Sequence, residues 1–192
     1  MKQIIAKAIR TITIPPVMAL AGLILLFLAK ETVYQSTTDF MVALTSLVLL
    51  PTLAYPLAAV LPKYKEKGRE GQRNMAFNMT ALGYALLAIY AVFAEISTAY
   101  RLIALTYIFA FLLLLFCNKV LKRRASGHAC GITGPILISA YFLGWPAIFG
   151  GLVLYLLIFW SSLAAKRHTP KELLFGTICC IIGFCLSLLI FR

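Results

Sequence analysis

The chain has 192 residues, 62% hydrophobic and 12% charged, with a net charge of +12. Its mean hydropathy is +0.94. These values exclude an ordinary water-soluble domain, whose apolar share is nearer one half, and a disordered tail. Six long stretches carry no charged residue: 11–29, 40–62, 74–94, 102–118, 125–165 and 173–191. A helix crossing a bilayer needs about 20 apolar residues. The first stretch follows Lys2, Lys7 and Arg10 and ends in Leu28-Ala29-Lys30-Glu31. It is too long for a secretion signal and lacks a small-residue cleavage site, so it reads as a retained span. Pro15-Pro16 within it, and Pro51 and Pro56 in the second stretch, read as kinks. The stretch 125–165 is long enough for two spans, divided at Gly144-Trp145-Pro146. The expectation is all-α: a polytopic bundle of about seven transmembrane helices forming a single membrane domain over 1–192. Cys117, Cys130, Cys179, Cys180 and Cys185 lie in or beside apolar stretches and read as small packing residues.

Charge is divided unequally by this topology. The N-terminus and segments 63–73, 119–124 and 166–172 fall on one face and hold 15 of the 18 cations. Lys30, Arg101 and Arg192 are left for the other. The positive-inside rule makes the crowded face cytoplasmic and puts the C-terminus outside. Such cations orient insertion and meet anionic head groups. They could also hold an anionic substrate. Nucleic acid is a poor partner, because no soluble domain exists to dock on it.

Each basic segment leads into the next span and so sits at a helix N-terminus. Free N–H groups and the positive end of the helix dipole favour anions there. Both histidines belong to this face. His128 follows Arg124-Ala125-Ser126-Gly127, where a hydroxyl and an approachable backbone suit an oxyanion. His168 precedes Thr169-Pro170, an N-cap and first helical residue, with Glu172 four positions on. A carboxylate at that spacing can accept the imidazole N–H and leave the other nitrogen as a base or nucleophile.

Ser126-Gly127-His128, followed some 40 residues later by His168-Thr169-Pro170-Lys171-Glu172 and an apolar helix, resembles the type 2 phosphatidic acid phosphatase (PAP2) superfamily, in a divergent bacterial branch. The resemblance covers residues 63–180 and implies a six-helix core with one extra N-terminal span. It further implies metal-independent hydrolysis of a lipid phosphate or polyprenyl pyrophosphate through a phosphohistidine, in a bacterial inner membrane. His168 would be the nucleophile, Glu172 its orienting carboxylate and His128 the acid for the leaving group. Lys67, Arg69, Arg73, Arg124, Ser126, Gly127 and Arg167 would bind phosphate. The pattern departs from the family at four positions. Arg73 is followed by Asn74 instead of Pro, Ala125 stands for Pro, Glu172 for Asp, and Ser162 for the arginine six residues before the third-motif histidine.

No cofactor is expected. Of the six acids only Glu66, Glu70 and Glu172 belong to this face, fewer than a two-metal centre usually needs, and a Gly-rich Lys-Ser/Thr loop for nucleotides is missing. The expected partners are membrane lipids, with a phosphorylated lipid as substrate. Loss of the family arginine raises an alternative, a non-catalytic protein that binds or moves an anionic lipid. A small-solute transporter is a third reading, disfavoured because the uncharged stretches hold no ionisable pathway.

Overall fold

The computed structural model describes residues 2–30 and 32–191, and the regular structure among them is helical throughout. In chain order the helices are α1 (Lys2–Ile12), α2 (Pro15–Ala29), α3 (Thr37–Val60), α4 (Pro62–Lys65) and α5 (Gly68–Phe93). They continue with α6 (Thr98–Val120), α7 (Gly127–Leu143), α8 (Trp145–Ala164) and α9 (Pro170–Ile190). Helices α3, α5, α6, α8 and α9 are long and apolar enough to cross a membrane, and α1 with α2 would make a sixth span, bent by 54°. The expected division of 125–165 occurs, but its first half, α7, has only 17 residues. Among the described residues the bundle therefore holds five or six helices of spanning length and one shorter apolar helix. Large apolar side chains such as Leu28, Phe93 and Trp145 stand exposed on its outer surface. Together these features fit an integral membrane protein.

The breaks have local causes. Ile14 is extended (φ −63°, ψ 149°), the conformation favoured before proline. Pro15 and Pro16 bring no N–H to continue the α1 ladder, so the chain turns. Helix α1 is amphipathic. It buries Ala6, leaves Ile4, Ile5 and Ile12 exposed, and lies against α8. Gly144 separates α7 from α8 with φ 71° and ψ −150°, a backbone region essentially reserved for glycine.

Helix α9 packs along α6 and α7; α7 also meets α2 and α8, and α5 lies on α3. Leu23, Leu47, Leu87, Tyr100 and Ile103 form the largest buried cluster. Cys130, Cys179 and Cys180 join Ala110 and Leu114 in a second, with Cys117 packed against it, as expected of small apolar residues. Cys185 is exposed. At one end of the bundle a capping box of Ser36 and Asp39 starts α3, and buried Asp39 accepts a 2.7 Å hydrogen bond from the Tyr90 hydroxyl. The basic segments gather at the other end.

There the starts of α7 and α9 are tied together. The Ser126 N–H donates to the Glu172 carbonyl at 2.8 Å. The approach is possible because residue 176 is glycine: a Cβ there would lie 2.2 Å from the Ser126 carbonyl oxygen. Gly176→Ala must push the two helix starts apart. It is expected to cost about 1–3 kcal/mol, read as a lower thermal unfolding midpoint in detergent. An unchanged midpoint would contradict the close approach.

Candidate active site

A cavity of about 710 Å³ opens among the basic helix ends. Lys7, Arg10, Arg69, Arg73, Arg124 and Arg167 line it, and so do His128 and His168. The two imidazoles, 40 positions apart in the chain, thus share one chamber. Gly127 lines it as well. Glu172 stands behind His168, with its side chain 15% exposed.

The surroundings of His168 fix its tautomer. Nδ1 lies 2.8 Å from Glu172 Oε2, and Nε2 lies 3.4 Å from Arg10 Nη2. A carboxylate only accepts and a guanidinium only donates, so Nδ1 carries the proton and Nε2 presents its lone pair. Thr169 caps α9 by accepting from the Glu172 N–H at 3.2 Å, which sets the register of the carboxylate under the imidazole. The other carboxylate oxygen, Oε1, pairs with Arg124 Nε at 3.7 Å. Burial pushes the His168 imidazole below its ordinary value; the Glu172 hydrogen bond pulls the other way, and the Arg10 and Arg124 cations lower it further. His168 is therefore neutral at neutral pH, the form a nucleophile requires.

Arg10 went unrecognised in the sequence, where it reads only as one of the cations before the first span. Its Nη1 donates to Ser162 Oγ at 3.1 Å while Nη2 faces His168. Ser162 is fully buried on α8. At the position where the resemblance calls for an arginine, a serine thus anchors an arginine reaching over from α1. The sequence held two hints, the gap at 162 and the Pro15-Pro16 break that swings α1 across α8.

Asn118 was missed too. It sits in the π-helical last turn of α6, Phe116–Val120, and its Nδ2 donates to the carbonyls of Leu114 (2.8 Å) and Ala125 (3.1 Å). Its Oδ1 accepts from the Ala125 N–H at 3.3 Å and from Arg73 Nη2. One amide thereby holds the segment before His128 and aims Arg73.

Two expected phosphate ligands are placed differently. The Ser126 side chain is buried and caps α7, accepting from the Ala129 N–H at 3.2 Å, so its hydroxyl is engaged in starting the helix and lies outside the cavity lining. Lys67 is exposed just before α5 and also lies outside the lining. The other eight predicted residues converge: seven on the wall, and Glu172 behind it. His128 Nε2 is buried and has no hydrogen-bond partner among the described residues. The residue itself lines the cationic cavity, and it also borders a small apolar pocket with Ile132, Ile158 and Phe159.

No family model matches the chain, and no curated protein or solved structure matches it either.

The neutral imidazole can be read without knowing a substrate. In a His128→Ala background, acylation of His168 by diethyl pyrocarbonate follows the neutral fraction, so its midpoint is expected below pH 6.5. Arg10→Gln removes a cation that lowers the midpoint and should raise it. Glu172→Gln removes the partner that raises it and should lower it further. Midpoints that move the opposite way would overturn the assigned contacts.

Proposed function

We propose that the protein is a metal-independent lipid-phosphate phosphatase of the type 2 phosphatidic acid phosphatase kind. The observation that carries this reading is the placement of His168, with Nδ1 held by Glu172 and Nε2 turned toward Arg10 in a chamber that it shares with His128. Arg10, Arg73, Arg124 and Arg167 receive the phosphate oxygens, and Gly127 lets the backbone come close.

His168 Nε2 attacks phosphorus, forming the N–P bond as the P–O bond to the lipid breaks. Once the bound phosphate anion offsets the surrounding cations, the His128 imidazole can hold a proton, and it gives that proton to the departing oxygen. Water then attacks the phosphohistidine, yields a proton to His128, breaks the N–P bond and leaves as inorganic phosphate. Glu172 holds the imidazole in its tautomer and balances the positive charge that develops on the ring. The cations offset charge on the transferred group, and no step needs a metal.

Arg10 bears on the alternative of a non-catalytic lipid binder. That reading rested on the absent arginine at position 162, and Arg10 supplies a guanidinium at the same serine. Seven crossings, with α7 as a short seventh, bring the starts of α5, α7 and α9 to one face, in keeping with the cavity they share. The charge count, 15 cations against three, favours a cytoplasm-facing site and an outward C-terminus.

Purified protein should release phosphate from a lipid monophosphate, and His168→Ala should lose the activity. His128→Ala should cost about 10²–10⁴-fold on an alkyl phosphate and far less on an activated aryl phosphate, whose leaving group needs no acid. Arg10→Ala should cost about 10²-fold, and Ser162→Arg in that background should restore a good part of it. Equal turnover by wild type and His168→Ala would end the mechanism; no rescue by Ser162→Arg would remove Arg10 from it.

A further inference from the structure

The cavity is much deeper than a phosphate requires. From its cationic rim at Arg73 it follows α5 past Ala76 and Thr80 to Tyr84. These 11 positions correspond to about 16 Å of helix. Along α3 it descends from Tyr55 to Leu47, and on α6 from Leu114 to Tyr107. All three walls end at one level. The floor there is the edge-to-face pair of Tyr84 and Tyr107, with ring centroids 6.0 Å apart, resting on the main buried cluster. The upper wall is charged; below it the lining turns apolar, with Phe77 and Phe111 beside the small Ala19, Ala76, Ala110 and Cys180.

We propose that this shaft houses the hydrocarbon chain of the substrate, which makes the substrate a single-chain phosphate whose first dozen or so carbons lie inside the bundle, ending at Tyr84 and Tyr107. The inference rests on the phosphatase reading for the phosphate end only. A chain lying in the surrounding bilayer would meet no end wall, and affinity would not sense its length beyond partitioning. A chain inside the shaft gains contact with each added methylene until it reaches the tyrosines. An extended chain of about 16 Å has roughly a dozen carbons. A lipid with two long chains exceeds both the depth and the single floor.

The test separates binding from turnover by using n-alkylphosphonates, which carry the head group and cannot be hydrolysed. Affinities of the full-length protein in nanodiscs, referred to the free aqueous ligand, are measured for chains of four to eighteen carbons beside the partitioning of the same ligands into empty nanodiscs, which shows no break. The wild type is expected to bind about threefold more tightly per added methylene, with a break near twelve. Thr80→Phe narrows the shaft about 10 Å below Arg73 and should move the break to about eight carbons. Tyr84→Ala opens the floor and should move it to longer chains, so the idea stays testable if one variant fails to fold. Affinity that follows partitioning with no break, breaks that stay fixed in both variants, or a diacyl phosphatidic acid bound more tightly than the twelve-carbon phosphonate would overturn the proposal. A break near twelve with no phosphate released from the matching alkyl phosphate supports the shaft and removes only the phosphatase reading.

Discussion

One backbone hydrogen bond, from the Ser126 N–H to the Glu172 carbonyl at 2.8 Å, holds together the segments on which the candidate site depends. It joins the start of α7 to the first turn of α9, and Gly176 makes the approach possible. Ser126 and Thr169 each cap their own helix, so both starts are fixed in register as well as position. His128 and His168 inherit their placement from this pair of caps and the bond between them.

Against that tether stands a strong repulsion. Six cations line the chamber, and the Glu172 carboxylate behind its wall is committed to His168 and Arg124. Like charges held near one another in a partly enclosed space interact more strongly than in bulk water. The fold supports them with neutral partners: Asn118 takes Arg73, and Ser162 takes Arg10. Neither partner cancels charge. The positive potential is therefore left uncompensated by these two partners, and under the proposed function a phosphate entering between Arg10 and His168 Nε2 would relieve it. The same imbalance favours anions over neutral head groups before any contact is made.

The helical class and most of the breaks were legible because they follow from composition and from proline or glycine chemistry. The uncharged stretches marked the apolar helices, and Gly144 divided the longest where expected. The number of full-length spans was less legible: counting residues in 125–165 could not show that α7 would stop at 17. At the site, the i to i+4 spacing of His168 and Glu172 on a capped helix was enough to foresee their 2.8 Å contact. Ser126 misled because a serine at a helix start serves equally as cap or ligand, and only its buried position decides between them. Arg10, at which the sequence only hinted, and Asn118 were hard to see for a different reason. Their partners are 152 and 158 positions away for Arg10, and for Asn118 the partners include Arg73 on another helix. No local pattern encodes contacts of that separation.

The chain contains only two histidines, which makes the central claim directly observable. The imidazoles are labelled with ¹⁵N, assigned with the single-histidine variants, and followed while inorganic phosphate is titrated into the protein in detergent. If both rings face one anion site, both sets of resonances shift along one saturation curve with a common midpoint. A shift confined to one ring, or two curves with different midpoints, would place the histidines at separate sites and contradict the account.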